Sequence, residues 1–207
     1  MFTFQNIYNA YRKCRKNKTN TINVLKFEQN LLDNLWQLTE DLQSRRYQVG
    51  QSICFLTHSP KLREVFAADF RDRIVHHLFV ETIEEFYEKR FIFDVYNNRK
   101  GKGIHQAKAR VQKFMRQEPN GYYLQLDIKG FFYHLDKDIL YDRLCEDLRE
   151  YKGEAEATHP MTEPIGSGAL APPKDILWLA HTIIYHNPTT NYQFQGDILK
   201  LKMNSEK

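Results

Sequence analysis

Along residues 21–44, apolar residues recur at intervals of three and four positions, which is the spacing of one helix face. They are Val24, Phe27, Leu31, Leu35, Leu38 and Leu42. The pattern predicts a single amphipathic helix over the whole stretch. The same periodicity predicts helices over residues 67–89 and 104–117, and the polar face of the latter is wholly basic.

Three other stretches have the composition or the alternation of strands. Residues 48–60 are rich in β-branched and aromatic residues and end in Ser-Pro, which predicts a strand or one arm of a hairpin. Residues 91–96, FIFDVY, predict a short extended run. In residues 122–128, YYLQLDI, the alternation predicts a strand that buries one face and presents Asp127 on the other, at its end.

Turn residues divide the rest of the chain. Residues 118–121, EPNG, break regular structure, and a helix is predicted after Asp136, which is a suitable N-cap. Residues 151–174 are rich in Gly, Pro and Ala and predict an inserted loop. A last helix is predicted over residues 175–186, before Asn187-Pro188. Helices mixed with short strands indicate an α+β fold.

The composition restricts the class of protein. A chain of 207 residues with 42% hydrophobic residues can bury a core, which excludes a disordered tail. Its three cysteines are odd in number and far apart, which argues against a disulfide framework and against a cysteine-rich zinc site. No stretch has the pattern of a signal peptide or reaches the ~18 apolar residues of a membrane span. We therefore expect a soluble protein in the cytoplasm.

The charge is divided unevenly along the chain. Residues 1–116 contain 21 basic and 12 acidic residues, whereas residues 117–207 contain 9 and 14. Residues 95–117 contain seven basic residues and no acidic one, and residues 11–18 contain five basic residues and no acidic one. A phosphate backbone is the commonest partner of such a surface, and a solvated helix face is the alternative interpretation.

A carboxylate at a strand end, as predicted for Asp127, is a natural ligand for a hard cation such as Mg²⁺. An aspartate that only ends the strand or caps the next turn is the alternative. The order of motifs around Asp127 favours the metal-binding interpretation, because it resembles that of bacterial reverse transcriptases of the group II intron and diversity-generating retroelement kind.

Three parts of the sequence carry this resemblance. Residues 59–114, from SPKLREVFAADFRDR to NNRKGKGIHQAKARVQKF, are similar to the first two conserved blocks of the family, which form its fingers. Residues 122–140, YYLQLDIKGFFYHLDKDIL, resemble the palm block that carries the first catalytic aspartate. Residues 186–197, HNPTTNYQFQGD, resemble the stretch before the next palm motif.

The resemblance implies roles in the palm. Asp127 would ligate two catalytic Mg²⁺ ions, with the backbone carbonyl of Ile128 as a further ligand, in a two-metal phosphoryl transfer. Phe132 would contact the sugar of the incoming nucleotide and exclude a 2′-hydroxyl, and Phe131 would pack inward. Two core phenylalanines are the alternative interpretation.

It also implies roles in the fingers. Lys61 and Arg63 would bind the triphosphate of the incoming dNTP. The remaining cations would contact nucleic-acid phosphates, aided by the flexible glycines of RKGKG; they are Arg99, Lys100, Lys102, Arg110, Lys113 and Arg116. Arg71, Asp72 and Arg73 have two interpretations, a structural ion-pair role and a template contact.

The sequence departs from the family in one respect. Such enzymes carry a second metal-binding pair in a Tyr-x-Asp-Asp hairpin, and this sequence contains no Asp-Asp pair. We therefore expect an amino-terminal fragment that is inactive alone, with N-terminal helices and fingers in residues 1–120 and a partial palm, including the inserted loop, in residues 121–207. The thumb and the rest of the palm would be absent. The surface left uncovered could pair two copies of the chain.

The resulting hypothesis is a fragment of an RNA-directed DNA polymerase that extends a DNA primer on an RNA template with dNTPs and Mg²⁺. Its fold would be the fingers and partial palm of a right-hand polymerase, with helices packed on small antiparallel sheets. The alternatives are a non-catalytic nucleic-acid-binding module and a defence or interaction protein built on a degenerate polymerase fold.

Overall fold

The computed structural model describes residues 1–16, 21–57, 62–157 and 173–195. In chain order the elements are α1 (Phe4–Arg15), α2 (Ile22–Gln29), α3 (Leu31–Gln43), β1 (Ser52–Thr57), β2 (Arg63–Ala67), α4 (Phe70–Arg90), α5 (Ile104–Gln117), α6 (Phe131–His134), α7 (Lys137–Ala157), α8 (Pro173–Tyr185) and β3 (Tyr192–Phe194). This is an α+β chain, as predicted.

The chain divides into two compact units. The first unit comprises Met1–Thr82 and the chain from Lys137 onward, and the second unit comprises Ile83–Asp136. The predicted boundary between fingers and palm near residue 120 stays a prediction. Of the predicted inserted loop, residues 151–157 belong to α7, and residues 158–172 lie outside the described residues.

The stretch predicted as one helix, residues 21–44, is two helices. Asn30 leaves the helical region with φ −125° and ψ 52°, and it separates α2 from α3. The side chain of Asn34 donates to the carbonyl of Phe27 at 2.8 Å, which satisfies a carbonyl near the end of α2. The expectation of one continuous helix was wrong because apolar periodicity continues across a break that polar capping groups stabilise.

The core of the first unit is built from helices around a cluster of aromatic rings. Phe27 and Phe70 meet edge to face with ring centroids 5.4 Å apart, and Tyr11 meets Phe70 at 6.2 Å. In α1 the buried residues are Ile7, Ala10, Tyr11 and Cys14, spaced for one helix face. The helices α7 and α8 bury further apolar residues, and Leu179 of α8 belongs to the same core cluster as Phe27 and Phe70. The buried residues of these two helices are Leu144, Cys145, Leu148, Ile176, Leu179 and Ala180.

The first unit also contains a three-stranded sheet with the order β2-β1-β3. The strands β1 and β2 are antiparallel, with Ile53 opposite Ala67 and Thr57 opposite Arg63. The strands β1 and β3 are parallel, with Ser52 opposite Tyr192. The strand predicted in residues 48–60 is confirmed. The expectation of purely antiparallel sheets was wrong, because β3 joins β1 after a long crossover that allows a parallel pair.

In the second unit, two predicted extended stretches do not form strands. Residues 91–96 contain turns and bends, and residues 122–128 have no strand partner within the described parts of the chain. The expected buried face of the second stretch is exposed at every position, at Tyr122, Leu124, Leu126 and Ile128. The helix α5 has the predicted bounds, but it has no buried residue.

None of the helices in the described ranges has both the length and the apolar character that a bilayer span requires.

His76 makes the stability of the first unit depend on pH. Burial lowers the pKa of this histidine; nearby His186, His77 and Arg73 lower it further, whereas Asp72 opposes them. In the unfolded chain a histidine titrates near 6.5, so below that pH the unfolded state binds a proton that the folded state does not. The free energy of unfolding should therefore fall as the pH drops through about 6.5.

Urea unfolding at pH 7.5, 6.5 and 5.5 measures this effect. His76→Gln should lose less stability on acidification than the wild type, and His105→Gln, which changes an exposed histidine of α5, should behave like the wild type. Equal pH dependence in all three proteins would contradict the assignment.

Candidate functional site

Asp127 lies on an exposed segment between α5 and α6. The residues on both sides of it, Leu126 and Ile128, are also exposed. Within the described residues, the Asp127 carboxylate has no hydrogen bond or ion pair. The carboxylate is thus available to a ligand, although the strand that was predicted to present it is not formed.

The segment ends in a turn that requires glycine. Gly130 has φ +64° and ψ 32°, in the left-handed region, and it precedes the short helix α6. A Cβ at this position would lie 3.0 Å from the His134 ring. The His134 Nδ1 is 2.9 Å from the Gly130 carbonyl oxygen. A side chain at position 130 is therefore disfavoured both by the backbone conformation and by contact with this ring.

The two phenylalanines after this turn are both exposed. Their ring centroids lie 5.2 Å apart at an interplanar angle of 71°. Phe132 is 87% exposed and Phe131 is 44% exposed. Phe132 is the more exposed of the two rings, which agrees with its expected outward position. The expectation that Phe131 packs inward was wrong, because no core covers α6 within the described residues. The alternative of two core phenylalanines fails for the same reason.

The implied Mg²⁺ ions can be tested against the residues around Asp127. Among the described residues, no group of three or more His, Cys, Asp or Glu side chains is arranged to hold a metal ion. Two divalent cations need several oxygen ligands, and Asp127 with the Ile128 carbonyl supplies only one residue's carboxylate and one backbone oxygen. The described residues alone do not fit a two-ion site.

The residues predicted to bind triphosphate are only partly described. Arg63 is exposed at the start of β2 and is paired in register with Thr57. Its guanidinium has no ion pair within the described ranges. Lys61 lies outside the described residues.

Four of the predicted nucleic-acid cations are engaged inside the second unit. The guanidinium of Arg99 pairs with Glu88 at 2.9 Å and donates to the carbonyl of Ile92 at 2.9 Å. Lys100 pairs with Glu84 at 3.4 Å. These acids belong to α4, so the acid-free run of residues 95–117 finds its counter-charges on a preceding helix.

Lys102 and Arg110 are held by aromatic rings as well as by oxygens. The Lys102 ammonium lies 4.1 Å from the centroid of Phe93 and bonds to the carbonyl of the same residue. Arg110 donates two hydrogen bonds to the Asp94 carboxylate, of 2.8 and 3.2 Å. Its guanidinium lies 4.5 Å from the centroid of the Phe114 ring. The hydrogen bond from Arg110 is the main cause that lowers the pKa of the Asp94 carboxyl.

The predicted cations therefore separate into two groups. Four of them hold the segment between α4 and α5 in place through ion pairs and hydrogen bonds, namely Arg99, Lys100, Lys102 and Arg110. Lys113 and Arg116 are exposed on α5 and make no ion pair with any described residue. Of the six predicted nucleic-acid cations, only these last two are open to a phosphate without first breaking a contact to a described residue.

Arg71 and Asp72 form a structural network that the sequence suggested only as one of two interpretations. The Asp72 side chain is 1% exposed and accepts hydrogen bonds from the Tyr47 hydroxyl at 2.7 Å and from the Gly50 amide at 2.9 Å. Arg71 donates to Asp41 at 2.7 Å. Burial, and then the Asp72 charge, raise the pKa of Tyr47. The structural role is confirmed for Arg71 and Asp72.

A polar cleft beside this network was not predicted. It lies in the first unit, and its lining residues come from α2, α3, the start of β1, the start of α4 and β3. Its five amide residues lie at positions far apart in the chain, from Asn23 to Gln193. Such a site could not be recognised before folding brought these residues together.

No family model matches this chain, and no curated protein matches it.

Proposed function

We propose that this chain supplies the fingers and the first part of the palm of an RNA-directed DNA polymerase. The observation that carries the proposal is the arrangement at residues 122–134. There the exposed carboxylate of Asp127, which makes no hydrogen bond or ion pair with any described residue, is followed, after the left-handed turn at Gly130, by the exposed ring of Phe132. The motif resemblance would place Asp127 at the catalytic Mg²⁺ ions and Phe132 at the nucleotide sugar.

The proposal concerns a contribution to an active site. The 207 residues contain no Asp-Asp pair, and the described residues do not complete a two-ion site. Asp127 would supply one carboxylate, and Phe132 would limit the space beside the nucleotide sugar. Arg63 would meet the triphosphate, since a guanidinium suits bidentate contact with phosphate.

An RNA template, a DNA primer, dNTPs and Mg²⁺ are the partners and the cofactor that belong to this proposal. The cytoplasm is the proposed compartment, and the three buried cysteines, Cys14, Cys54 and Cys145, are free thiols, as a reducing environment favours. Pairing of two copies through the exposed apolar surface of the second unit also stays a proposal.

A non-catalytic nucleic-acid-binding module is the second candidate. Among the described residues, no group of three or more His, Cys, Asp or Glu side chains could hold a metal ion, which favours this candidate. Both candidates require a cationic surface for the strand. In the second unit, Lys113 and Arg116 would provide this cationic surface, because the other predicted nucleic-acid cations already contact acids or carbonyl groups of the same unit.

Binding of single-stranded RNA tests the cationic surface. The logarithm of the affinity should fall linearly with the logarithm of the salt concentration, with a slope of about −0.7 for each neutralised phosphate. The double variant Lys113→Ala/Arg116→Ala should make this slope shallower by about 1.4, since two phosphate contacts are lost. Fluorescence anisotropy between 50 and 300 mM salt, roughly the range in which counterion release dominates, measures it.

The matched control is Arg46→Ala/Lys174→Ala, which removes one exposed arginine and one exposed lysine of the first unit. This control should leave the slope unchanged. No binding at low salt, affinity that does not depend on salt, or equal slopes for the two double variants would refute the assignment.

A further inference from the structure

The polar cleft of the first unit has a volume of about 470 Å³, which is within the range of small-molecule sites. Ten of its thirteen lining residues have polar or charged side chains, and five of these side chains are amides. These are Asn23, Asn34, Gln37, Gln51 and Gln193. The apolar part of the lining comes from Phe27 and Ile53. None of these residues takes part in the proposed polymerase chemistry.

Two of the amides are held in one orientation. The NH₂ group of Asn23 donates to the Asp69 carboxylate at 3.0 Å. That of Asn34 donates to the backbone carbonyl of Phe27 at 2.8 Å. Both partners can only accept, so each amide must point its nitrogen at the protein. The carbonyl oxygens of Asn23 and Asn34 remain as acceptors whose positions are set before any ligand arrives.

The other polar groups of the cleft supply both donors and acceptors. Gln37 donates its NH₂ group to Asp41 at 3.0 Å and keeps its carbonyl oxygen. Lys26, Gln51 and Gln193 line the cleft, and their side chains make no hydrogen bond or ion pair within the described residues. An ammonium and two complete amides are therefore available beside the fixed carbonyl oxygens.

The charges of the lining cancel. Lys26 and Arg71 are opposed by Asp69 and Asp72, and both carboxylates already accept hydrogen bonds from the protein. Asp69 also accepts from the Arg71 backbone amide at 3.2 Å, which holds it at the start of α4. A neutral ligand suits such a site better than a phosphate or a free cation, because neither sign of charge is in excess.

We propose that this cleft binds a neutral nucleobase that carries an exocyclic amine next to a ring nitrogen, as adenine and cytosine do. The amine would donate to the preset amide oxygens, and the ring nitrogen would accept from Lys26 or from a free glutamine amide. A side-chain amide carries a carbonyl acceptor next to an NH₂ donor, and this pair is complementary to an exocyclic amine next to a ring nitrogen on a base edge. Ile53 and the part of Phe27 that reaches the cleft, a residue that is 9% exposed, offer apolar contact to the flat ring.

Calorimetric titration of the 207-residue chain with nucleosides tests the proposal. Adenosine and cytidine should bind, whereas inosine and uridine, which carry a carbonyl oxygen in place of the amine, should bind at least about 5-fold more weakly. Lys26→Ala and Gln51→Ala should each weaken adenosine binding about 5-fold or more. Both side chains are exposed and without a described partner, so these variants should fold as the wild type does.

Gln29→Ala, at the end of α2 and outside the cleft, is the matched control and should bind adenosine as the wild type does. Lys113→Ala/Arg116→Ala should also keep adenosine binding, which separates this proposal from the phosphate contacts of α5. A short oligo(A) strand that binds more tightly than adenosine, with Lys26→Ala weakening both, would identify an RNA strand as the source of the base. Equal affinities for adenosine and oligo(A) would identify a free nucleoside or nucleotide.

Three outcomes would overturn the proposal. They are no nucleoside binding at millimolar concentration, equal affinity for adenosine and inosine, and adenosine affinity that is unchanged in both Lys26→Ala and Gln51→Ala.

Discussion

Asp127→Asn should lower primer extension on an RNA template by about 1000-fold or more in a complete polymerase that contains this chain. The amide keeps the shape of the side chain but lacks the anionic oxygen that a hard divalent cation prefers. Because Asp127 makes no hydrogen bond or ion pair within the described residues, the substitution removes no such stabilising contact. Affinity for the template should therefore stay within about twofold of the wild type.

Extension assays and RNA-binding assays on the same preparations make this test specific. Asp33→Asn, which changes an exposed carboxylate in the first turn of α3, is the matched control and should retain full extension. If Asp127→Asn kept extension within about tenfold of the wild type, Asp127 would have no place at the catalytic centre. If template binding fell together with extension, its role would be in binding and not in chemistry.

Asp72→Asn should lower the free energy of unfolding by about 3 kcal/mol. The Asp72 carboxylate accepts from the Tyr47 hydroxyl and from the Gly50 amide, and both Asp72 and Tyr47 are buried. An asparagine can accept only with its single oxygen, so one buried donor would face an NH₂ group that cannot accept. This loss is a large fraction of the stability of an ordinary domain.

Urea denaturation of the 207-residue chain measures the loss. Tyr47→Phe should cost about 1 to 2 kcal/mol, since it removes one donor and leaves the bond from Gly50 in place. The double variant should cost less than the sum of the two single changes, because they share one interaction. Asp33→Asn should change stability by less than about 0.5 kcal/mol. A loss under about 1 kcal/mol for Asp72→Asn would show that the network contributes little.

Helices were the part of the fold that local pattern predicted best. The bounds of α5, Ile104–Gln117, coincide with the predicted ones, and the predicted helix over residues 67–89 is α4 with shifted ends. A helix satisfies its backbone hydrogen bonds within one stretch of sequence, so periodicity and flanking glycines suffice to locate it. The break at Asn30 was missed because it interrupts the backbone without interrupting the apolar spacing.

The strand prediction failed where the described parts of the chain supply no partner strand. Residues 122–128 alternate as a half-buried strand does, yet all of them are exposed within the second unit. A strand satisfies its backbone groups only through another strand, which local alternation cannot supply. The strand β1 did form, because β2 pairs with it after a short connection and β3 joins its other edge.

In the candidate site, too, local sequence predicted some features, whereas contacts between distant residues set others. Sequence pattern and family resemblance selected Asp127, Phe132 and the cations of residues 95–117, and the structure leaves the first two exposed. The sequence did not show that Arg99 pairs with Glu88 and that Arg110 pairs with Asp94. The partners are 11 and 16 positions apart, and such pairs form only when the chain folds back.

The sequence by itself determined most of the helices, the α+β class of the fold and the choice of candidate site residues, because these depend on the residue types and on their spacing. Only the tertiary structure decided which of these groups are available. It buried Asp72 between Tyr47 and Gly50, paired three of the seven cations of residues 95–117 with acids, and gathered distant amides into one cleft. Availability depends on the distances between residues far apart in the chain, and folding alone sets those distances.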